Sequence, residues 1–419
     1  MNEQFSKIKG YDIKNALINL QQLILEVTDI CNLRCKYCGY GDLYQGHNPR
    51  GTGTMTLNKA CTILDYLAKL WKVNINASIV KPFFLSFYGG EPLIGIKLIK
   101  DIIQYYESLN IKCKRVYYSM TTNGLLIHSC MDYLVEKEFH LLISLDGNEG
   151  DHSYRIDHHG RNSHKIVVEN IMLLQQKYPE YFKRNVRFNT VLHNKNSVES
   201  ASQYIKDTFG KETTFSQLNN SGIRKDKRNE FFKIYQNINN SIEKCGNRDK
   251  LEADLFLEAP STSQLTHFIY KYSGNMFDNY SSLIYDPKNI KITPTGTCIP
   301  FQKKIYITVN GKILQCEKIN HEFVLGQVFD DKVEMDFDHI AEFANDIIFR
   351  LIKQCITCAH RKRCSQCVFQ IDEINDSNPT CRNYTSVKSF QDYKNYNLAY
   401  LDKHPGLYKK ILNDVSIRS

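Results

Sequence analysis

Short apolar runs alternate with amphipathic segments through the first half of the chain. The run LILEVTD at 23–29 predicts a strand, and TLNKACTILDYLAKLWK at 56–72 predicts a helix that begins after Thr56 as its N-cap. The same patterns predict strands at 83–88, 115–124, 141–147, 185–193 and 213–219, and helices at 165–178 and 197–209. Repeated strand–loop–helix units are typical of an α/β fold with a parallel sheet, and six units predict a partial (β/α)6 TIM-like barrel.

The alternation weakens in the second half of the chain. KRNEFFKIYQNINNSIEKC at 227–245 predicts one helix, and KIYITVNGKILQCEKI at 304–319 predicts a hairpin with Asn310 and Gly311 in a type I′ turn. We predict an N-terminal extension at 1–20, the partial barrel at 21–221, a bridging region at 222–290, a small cysteine-rich α+β domain at 291–385 and a C-terminal tail at 386–419.

Composition excludes several classes of protein. The 419 residues are 42% hydrophobic, which is normal for a globular chain, and no run of about 18 apolar residues predicts a membrane span. The first residues lack an apolar signal segment, so we expect a cytoplasmic protein. The net charge of +9 comes from scattered basic residues, which favours a solvated surface over nucleic-acid binding and leaves attraction of an acidic peptide open.

Fourteen cysteines are many for such a chain, and ten of them lie in clusters. Disulfide frameworks belong to small secreted domains, whereas clustered soft thiolates suit zinc or iron–sulfur groups. Three of these thiols follow the first predicted strand, in CNLRCKYC. The segments GGEP, TTNG and SLDG follow three other strands, so all four meet at the carboxyl-terminal edge of the predicted sheet, where barrel enzymes carry their sites. Three thiols suit either a catalytic zinc ion or a [4Fe–4S] cluster with one open iron.

CNLRCKYC resembles the cluster loop of radical S-adenosylmethionine (SAM) enzymes. The resemblance implies that Cys31, Cys35 and Cys38 ligate a [4Fe–4S] cluster whose open iron binds SAM. It also implies that one electron cleaves SAM to a 5′-deoxyadenosyl radical, which abstracts hydrogen from substrate. The residues that match the family's SAM contacts are Tyr37, Gly89, Gly90, Glu91, Asn123, Ser144 and Arg155. Tyr88 departs from relatives that carry glutamine before GGEP.

The later cysteines resemble the SPASM domain, a C-terminal extension that carries two auxiliary [4Fe–4S] clusters. The resemblance implies that the distal cluster is ligated by Cys355, Cys358, Cys364 and Cys381, and the cluster nearer the barrel by Cys298, Cys316 and Cys367. Two residues instead of three separate Cys364 from Cys367, and Ile292 stands where some relatives have a further cysteine. The alternative is structural zinc bound by the cysteine pairs.

SPASM relatives modify peptides and proteins, so the resemblance implies an oxidoreductase of RiPP maturation that closes an intramolecular thioether, C–C or C–O crosslink in a ribosomally made precursor. It implies an electron donor such as ferredoxin or flavodoxin. Two alternatives stay open, maturation of Cys or Ser to formylglycine in sulfatases and a non-enzymatic metal-cluster scaffold. The sequence assigns no general base or hydrogen donor. Because about 20 residues precede the first strand, we expect leader binding by the barrel, the bridging region or a separate protein, and the aromatic stretch 268–285 is either a peptide groove or bridging packing.

Overall fold

The computed structural model describes residues 5–46, 51–75, 80–246, 251, 255, 260–272, 293–361, 364–371 and 373–414. The chain divides into two compact units. The sheet unit comprises Lys9–Ile242 and Ile299–Ala341. The cysteine-rich unit comprises Met1–Ile8, Glu243–Cys298 and Glu342–Ser419. No helix in the described part of the chain is both long enough and apolar enough to span a bilayer.

One sheet of ten strands runs through the described residues of the sheet unit. The strands are β1 (Gln22–Thr28), β2 (Lys81–Gly89), β3 (Lys114–Thr122), β4 (His140–Ser144), β5 (Val186–Leu192), β6 (Thr213–Gln217), β7 (Lys304–Ile307), β8 (Lys312–Leu314), β9 (Gly326–Val328) and β10 (Val333–Glu334). Their order is β10-β9-β8-β7-β1-β2-β3-β4-β5-β6. Strands β7 and β1 to β6 are parallel, and β7 to β10 form antiparallel pairs. The sheet is open, which confirms the predicted α/β class and partial barrel.

Helices connect the parallel strands as the periodicity predicts. Those that begin in the sheet unit are Gly10–Ile18, Leu57–Asn74, Ile96–Ser108, Met131–Glu136, His164–Lys177, Pro179–Asn185, Val198–Phe209, Arg228–Ile234, Ile238–Glu243 and Phe337–Phe349. Thr56 is the N-cap of the second of these, as expected, and its hydroxyl accepts the N–H of Lys59 at 3.3 Å. The helix Ile96–Ser108 was not predicted, although its buried Ile99, Ile102, Ile103 and Tyr106 have helical spacing.

The helix Leu57–Asn74 packs on one face of the sheet. Trp71 of the second helix stacks edge-on against Phe83 of β2, with ring centroids 4.8 Å apart, and both rings are fully buried. Alternation along the strand turns Ser86 to the opposite face, where its hydroxyl lies 2.6 Å from that of Ser119 on β3 and accepts from Gln22 on β1 at 2.8 Å. We call this side the polar face, because it carries the hydrogen-bonded Gln22, Ser86 and Ser119, beside the stacked rings of Phe84 and Tyr117.

Two local predictions were wrong. The hairpin of β7 and β8 is present, but its turn closes with Gly311 N–H bonded to the Thr308 carbonyl at 2.8 Å. Gly311 has φ +81° while Asn310 has no positive φ, so the turn is not type I′ and places its left-handed residue after the turn. The helix predicted at 227–245 is two helices, because the chain is extended at Tyr235.

The cysteine-rich unit contains a helical layer and the cysteine loops. Its helices are Pro260–Tyr272, Ile352–Thr357, Val387–Lys403 and Pro405–Asp414. Phe268 and Ile269 of the first helix pack with Ile411 of the last and against Tyr393. In the described part of the stretch 268–285 the aromatic side chains thus pack between helices, and residues 273–285 lie outside the described residues.

Candidate active site

The cysteine loop starts directly after β1 and is held by a second segment, the strap (154–161). The Ile156 carbonyl accepts the N–H of Arg34 at 2.7 Å, and the Tyr154 carbonyl accepts the N–H of Lys36 at 3.1 Å. Alternate residues of the loop are thus bonded to the strap, which fixes the backbone between the thiols.

His158 and His159 belong to the same strap. The Nε2 atom of His158 lies 2.8 Å from the carbonyl oxygen of Cys31, so this ring contacts the loop backbone rather than a thiol. The N–H of His159 donates to the Asp157 carboxylate at 2.9 Å, within the turn of the strap.

Cys31, Cys35 and Cys38 are brought together by this loop. Burial raises the pKa of the Cys35 thiol to about 12, the Arg155 guanidinium opposes the rise, and the charges of Cys38 and Cys31 add to it. The described residues contain no group of three or more His, Cys, Asp or Glu side chains that could hold a metal ion. The three side chains are thus not arranged as a ready site for a single metal ion. Cys31 and Cys38 still lie close enough to Cys35 to affect its pKa, and soft thiols are the donors that an iron–sulfur cluster takes.

Gly89 and Gly90 lie where β2 meets the end of β1. Gly89 has φ +142°, and a Cβ added there would clash with the carbonyl oxygen of Thr28. A Cβ on Gly90 would clash with the carbonyl oxygen of Ile30, at the start of the cysteine loop. The two glycines are therefore required by close contact between two backbones, which sets the cysteine loop against the end of β2.

Glu91 is almost fully buried, with 1% of its surface exposed. Its carboxylate accepts from the N–H of Leu93 at 3.1 Å, the hydroxyl of Thr122 at 2.7 Å and the N–H of Asn123 at 2.8 Å. Glu91, which matches a SAM contact of the family, thus also joins the ends of β2 and β3.

Asn123 extends this connection to the cysteine loop. Its side-chain amide donates to Asn32 at 2.7 Å, and its side-chain carbonyl accepts the N–H of Leu125 at 3.1 Å. Asn32 directly follows Cys31 in the loop. The TTNG turn and the first predicted cluster ligand are therefore connected through two amide side chains.

Ser144 ends β4 on the polar face of the sheet, level with Asn189 of β5. Its hydroxyl makes no hydrogen bond to any described residue and is not sealed from solvent. Tyr88 precedes the glycine pair on the same face, and its ring lies 6.1 Å from that of Tyr306 on β7. An aromatic ring therefore stands where relatives have a glutamine amide.

Arg155 forms an ion pair with Asp146, a residue that the sequence reasoning missed although it lies within the quoted SLDG. The Arg155 Nε and Nη2 atoms donate to the two carboxylate oxygens at 2.9 and 3.0 Å, and Asp146 is fully buried. Burial would raise the pKa of Asp146, but Arg155 reverses the effect and holds the pKa well below its usual range. Arg155, which matches a SAM contact of the family, is thus oriented by the buried Asp146.

Tyr37 lies between the second and third thiols and is largely buried. Its hydroxyl donates to Asp146, its ring stacks on His193 at 5.4 Å, and the Arg155 guanidinium lies 5.4 Å from its centroid. The ring also packs in an apolar cluster with Leu43, Tyr44, Leu218, Phe231 and Ile234. Tyr37 therefore fixes the cysteine loop to the Asp146 carboxylate.

Two buried histidines complete the surroundings of Asp146. His152 accepts the N–H of Asp146 at Nδ1 (3.3 Å), and its Nε2 lies 3.0 Å from the hydroxyl of Ser163. Burial lowers the pKa of His152 to about 3, so the ring is neutral. His193 accepts the N–H of Lys195 at Nδ1, and its Nε2 lies 3.6 Å from the Asp146 carboxylate.

Cys316 lies in the sheet unit, after β8. Its thiol is 3.3 Å from the Glu317 carboxylate, which also binds the Lys304 ammonium group at 3.0 Å. Burial raises the pKa of Cys316 to about 12, and the Glu317 charge adds to the rise. This thiol is therefore protonated at neutral pH unless a metal binds it.

In the cysteine-rich unit, four of the predicted ligands are neighbours. Burial raises the pKa of Cys355 to about 11, and Cys364, Cys381 and Cys358 add to the rise. Gln354 holds the group, because its side chain accepts the N–H of Cys381 at 3.0 Å and donates to the Pro379 carbonyl at 2.7 Å.

Cys298 and Cys367 approach each other in the same unit. The N–H of Val368 donates to the Thr297 hydroxyl at 2.8 Å, and the N–H of Gly296 donates to the Gln366 carbonyl at 2.9 Å. Burial raises the pKa of Cys367, and Cys298 contributes to the rise. Ile292 lies outside the described residues.

Comparison with known proteins finds a match for the part of the chain that contains the cysteine loop and the strand ends around it. Residues 25–207 match the model of the Radical SAM superfamily. The matched segment is less than half of the 419-residue chain. It includes the N-terminal cysteine loop and every predicted SAM contact, and it ends before the later cysteines.

Two curated relatives are similar to part of this chain. The cysteine-type anaerobic sulfatase-maturating enzyme of Clostridium novyi (strain NT) is 32% identical over 166 residues, which are 39% of this chain and 42% of that protein. The radical SAM cyclopropyl synthase TigE of Paramaledivibacter caminithermalis is 25% identical over 229 residues, 54% of this chain and 45% of that protein. The matches thus span less than half of either relative.

Solved structures share the fold over a longer range. Native anSMEcpe with bound AdoMet has a TM-score of 0.62 at 18% identity, covering 94% of this chain and 100% of that chain. Native anSMEcpe with bound AdoMet and Cp18Cys peptide has a TM-score of 0.59 at 20% identity, covering 94% and 99%. These two matches show a shared fold over most of this chain.

Proposed function

We propose that this protein is a radical SAM enzyme that modifies a ribosomally made peptide and closes an intramolecular crosslink in it. The observation that carries the proposal is the three-thiol loop packed against the Gly89–Gly90 pair, inside the segment that matches the radical SAM family. The cyclopropyl synthase among the relatives supports bond formation as the outcome.

The chain's own residues hold the cofactors in this proposal. Cys31, Cys35 and Cys38 ligate a [4Fe–4S] cluster, and the free hydroxyl of Ser144 faces SAM from the polar side of the sheet. When bound, the cluster and SAM supply a 5′-deoxyadenosyl radical that takes hydrogen from the peptide. Arg155 would contact the SAM carboxylate in the orientation that Asp146 imposes, because its Nε and Nη2 atoms are bonded to the Asp146 carboxylate.

The later cysteines hold two auxiliary [4Fe–4S] clusters in this proposal. The distal one takes Cys355, Cys358, Cys364 and Cys381, and the other takes Cys298, Cys316 and Cys367. Closing a crosslink removes two hydrogen atoms from the peptide, so one electron remains after the radical step and needs an acceptor. An auxiliary cluster is suited to that role, and a ferredoxin or flavodoxin is suited to supply the first electron.

Formylglycine formation is the second candidate function, and the comparisons support it equally. A sulfatase-maturating enzyme is among the relatives at 32% identity. Glu317 follows the predicted ligand Cys316, and its carboxylate contacts that thiol. Tyr88 in place of glutamine is the departure from it.

The first experiment separates an enzyme from a metal scaffold. Anaerobic reconstitution should give about twelve irons per chain, as three [4Fe–4S] clusters require. Dithionite and SAM should then yield 5′-deoxyadenosine, and the triple change of Cys31, Cys35 and Cys38 to Ala should keep about eight irons and yield none. If the protein instead binds zinc, or binds iron without binding SAM, the result would favour the hypothesis of a non-enzymatic metal-cluster scaffold.

The second experiment identifies the reaction. The enzyme is incubated with a candidate precursor peptide and with a sulfatase peptide that contains Cys, and the products are read by mass spectrometry. A crosslink loses two hydrogen atoms and keeps its sulfur, whereas formylglycine made from Cys loses sulfur and reacts with a hydrazide. Hydrazide-reactive product from the sulfatase peptide alone would replace the crosslinking proposal.

A further inference from the structure

His193 directly follows β5 and lies between two tyrosine rings. Its ring stacks on Tyr37 with the centroids 5.4 Å apart, and it lies edge-on to Tyr154 at 4.8 Å. The side chain is fully buried, and the backbone N–H donates to the Asn196 side chain at 2.9 Å. Because Tyr37 belongs to the cysteine loop, His193 is held in a fixed position beside that loop.

The imidazole of His193 has a buried hydrogen-bond donor that no described residue accepts. Its Nδ1 atom accepts the N–H of Lys195 at 3.2 Å, so the ring hydrogen is on Nε2. Nε2 is sealed from solvent, has no hydrogen-bond partner among the described residues and lies 3.6 Å from the Asp146 carboxylate, just beyond hydrogen-bonding distance. A buried donor without an acceptor destabilises the folded protein, and a functional role is one reason for keeping it.

Arg155 is the counterion of the Asp146 carboxylate and donates to both of its oxygens, at 2.9 and 3.0 Å. In the proposed function the same guanidinium also contacts the carboxylate of SAM. One positive charge is then shared between two carboxylates, and Asp146, which is sealed from solvent, loses part of its compensation. The hydroxyl of Tyr37 and the N–H of Val191 already donate to Asp146. The Nε2–H of His193 is an unused donor beside the same carboxylate.

We infer that His193 is a positioning residue for SAM binding, whose Nε2–H donates to Asp146 once Arg155 contacts the SAM carboxylate. The inference rests on the proposed function, since it needs SAM beside Arg155. Without SAM the donor is idle and adds nothing to the stability of the protein. With SAM it keeps Asp146 compensated, so Arg155 can hold both carboxylates at once. His193 thus acts through Asp146 and makes no contact with SAM itself.

The test uses the reconstituted holoenzyme, SAM as the probe and two variants with side chains of similar size. His193→Gln and His193→Met both remove the ring that stacks on Tyr37, but only His193→Gln keeps an N–H donor for Asp146. We expect His193→Met to bind SAM about tenfold more weakly than His193→Gln in calorimetry, as one hydrogen bond to a carboxylate implies. In the deoxyadenosine assay, the KM for SAM should differ between the two variants by a similar factor, with kcat nearly equal.

Urea denaturation without SAM separates this role from a purely structural one. His193→Met should be at least as stable as His193→Gln, because only the latter keeps a buried donor without an acceptor. Lys195 is exposed, so water can replace the acceptor that its N–H loses. The expected order of stability is thus the reverse of the order of SAM affinity. Greater stability of His193→Gln without SAM would mean that the donor is already used in the SAM-free protein, and would overturn the inference.

His164 provides the matched control. Its Nε2 is also sealed from solvent without a hydrogen-bond partner among the described residues, but its ring packs near Tyr204 and His152. His164→Met should therefore leave SAM affinity unchanged to within about twofold. Equal SAM affinity of His193→Met and His193→Gln would leave His193 as a packing residue and overturn the inference, with the enzyme intact. A wild-type holoenzyme that neither binds SAM nor makes deoxyadenosine would refute the proposed function, and this inference with it.

Discussion

Asp146 and Arg155 form a fork-to-fork ion pair in which the carboxylate is sealed from solvent and the guanidinium is 8% exposed. Asp146 also accepts the N–H of Val191 at 3.0 Å and the hydroxyl of Tyr37. One buried carboxylate therefore ties together the cysteine loop, the strap and the end of β5. Arg155 is the counterion of the Asp146 carboxylate, and Asp146 is the counterion of the Arg155 guanidinium, so removing either one leaves a buried charge without its ion pair.

Replacing Asp146→Asn should lower the free energy of unfolding by about 3–5 kcal/mol, because it leaves the Arg155 guanidinium buried without a counterion. Urea denaturation followed by circular dichroism measures the change. Asp132→Asn is the matched control, since it removes one partner of the exposed Lys177 pair and should leave stability unchanged. Equal stability of Asp146→Asn and wild type would contradict the role of the pair.

His152 should make stability fall in mild acid. Its folded pKa is about 3, well below the ordinary value of 6.5, because burial disfavours the charged ring. Below pH 6.5 the unfolded chain therefore takes up a proton that the folded chain does not, so stability falls as the pH drops towards 3, by at most ~1.4 kcal/mol per pH unit. His152→Gln should remove this part of the slope in denaturation curves between pH 6.5 and 4.

The exposed His159 is the control for that slope. His159→Gln should give the wild-type dependence on pH, whereas a slope that survives in His152→Gln would assign the acid sensitivity to other groups.

The fold could be predicted from the sequence where the spacing of apolar residues follows one period, that of a strand or that of a helix. Strands β1, β2 and β4 have closely spaced apolar residues that are buried, and the order of β1 to β6 follows from right-handed crossovers. The position of β7 beside β1 could not be predicted, because parallel pairing over this sequence distance leaves no local pattern. The division of the predicted helix at Tyr235 could not be predicted either, because it depends on the pairing of Tyr235 with the distant His193.

Gly90→Ala should disrupt the site through the backbone alone. The added Cβ meets the Ile30 carbonyl, and that oxygen also accepts the N–H of Glu91 at 2.9 Å, so the two strand ends must move apart. We expect a loss of about 2–4 kcal/mol in the free energy of unfolding, together with at least tenfold weaker SAM binding by calorimetry. Gly39→Ala is the control within the cysteine loop, because its added Cβ meets nothing within 4 Å. Similar losses in both variants would refute the argument.

The sequence predicts which strand ends form the candidate site. It does not predict the hydrogen bonds and the ion pair that connect the side chains there. Spacing and resemblance lead to Glu91, Asn123 and Arg155, yet nothing local indicates that Glu91 and Asn123 bond each other or that Arg155 pairs with Asp146. These are contacts between residues far apart in the chain or across a turn, and they depend on the sheet having formed. An aspartate after a strand is also an ordinary turn residue, which conceals its role.

Ser144→Ala should weaken SAM binding without lowering the stability of the fold. Its hydroxyl makes no hydrogen bond to the described residues, so its removal should change the free energy of unfolding by less than about 0.5 kcal/mol. SAM binding should weaken by about fivefold to tenfold if the hydroxyl contacts the cofactor, as one lost hydrogen bond implies. Ser86→Ala on the same face is the mirror control, since its hydroxyl is bonded to Gln22 and Ser119, and it should lose about 1 kcal/mol of stability with SAM binding unchanged. Unchanged SAM affinity in Ser144→Ala would remove this residue from the proposed contacts.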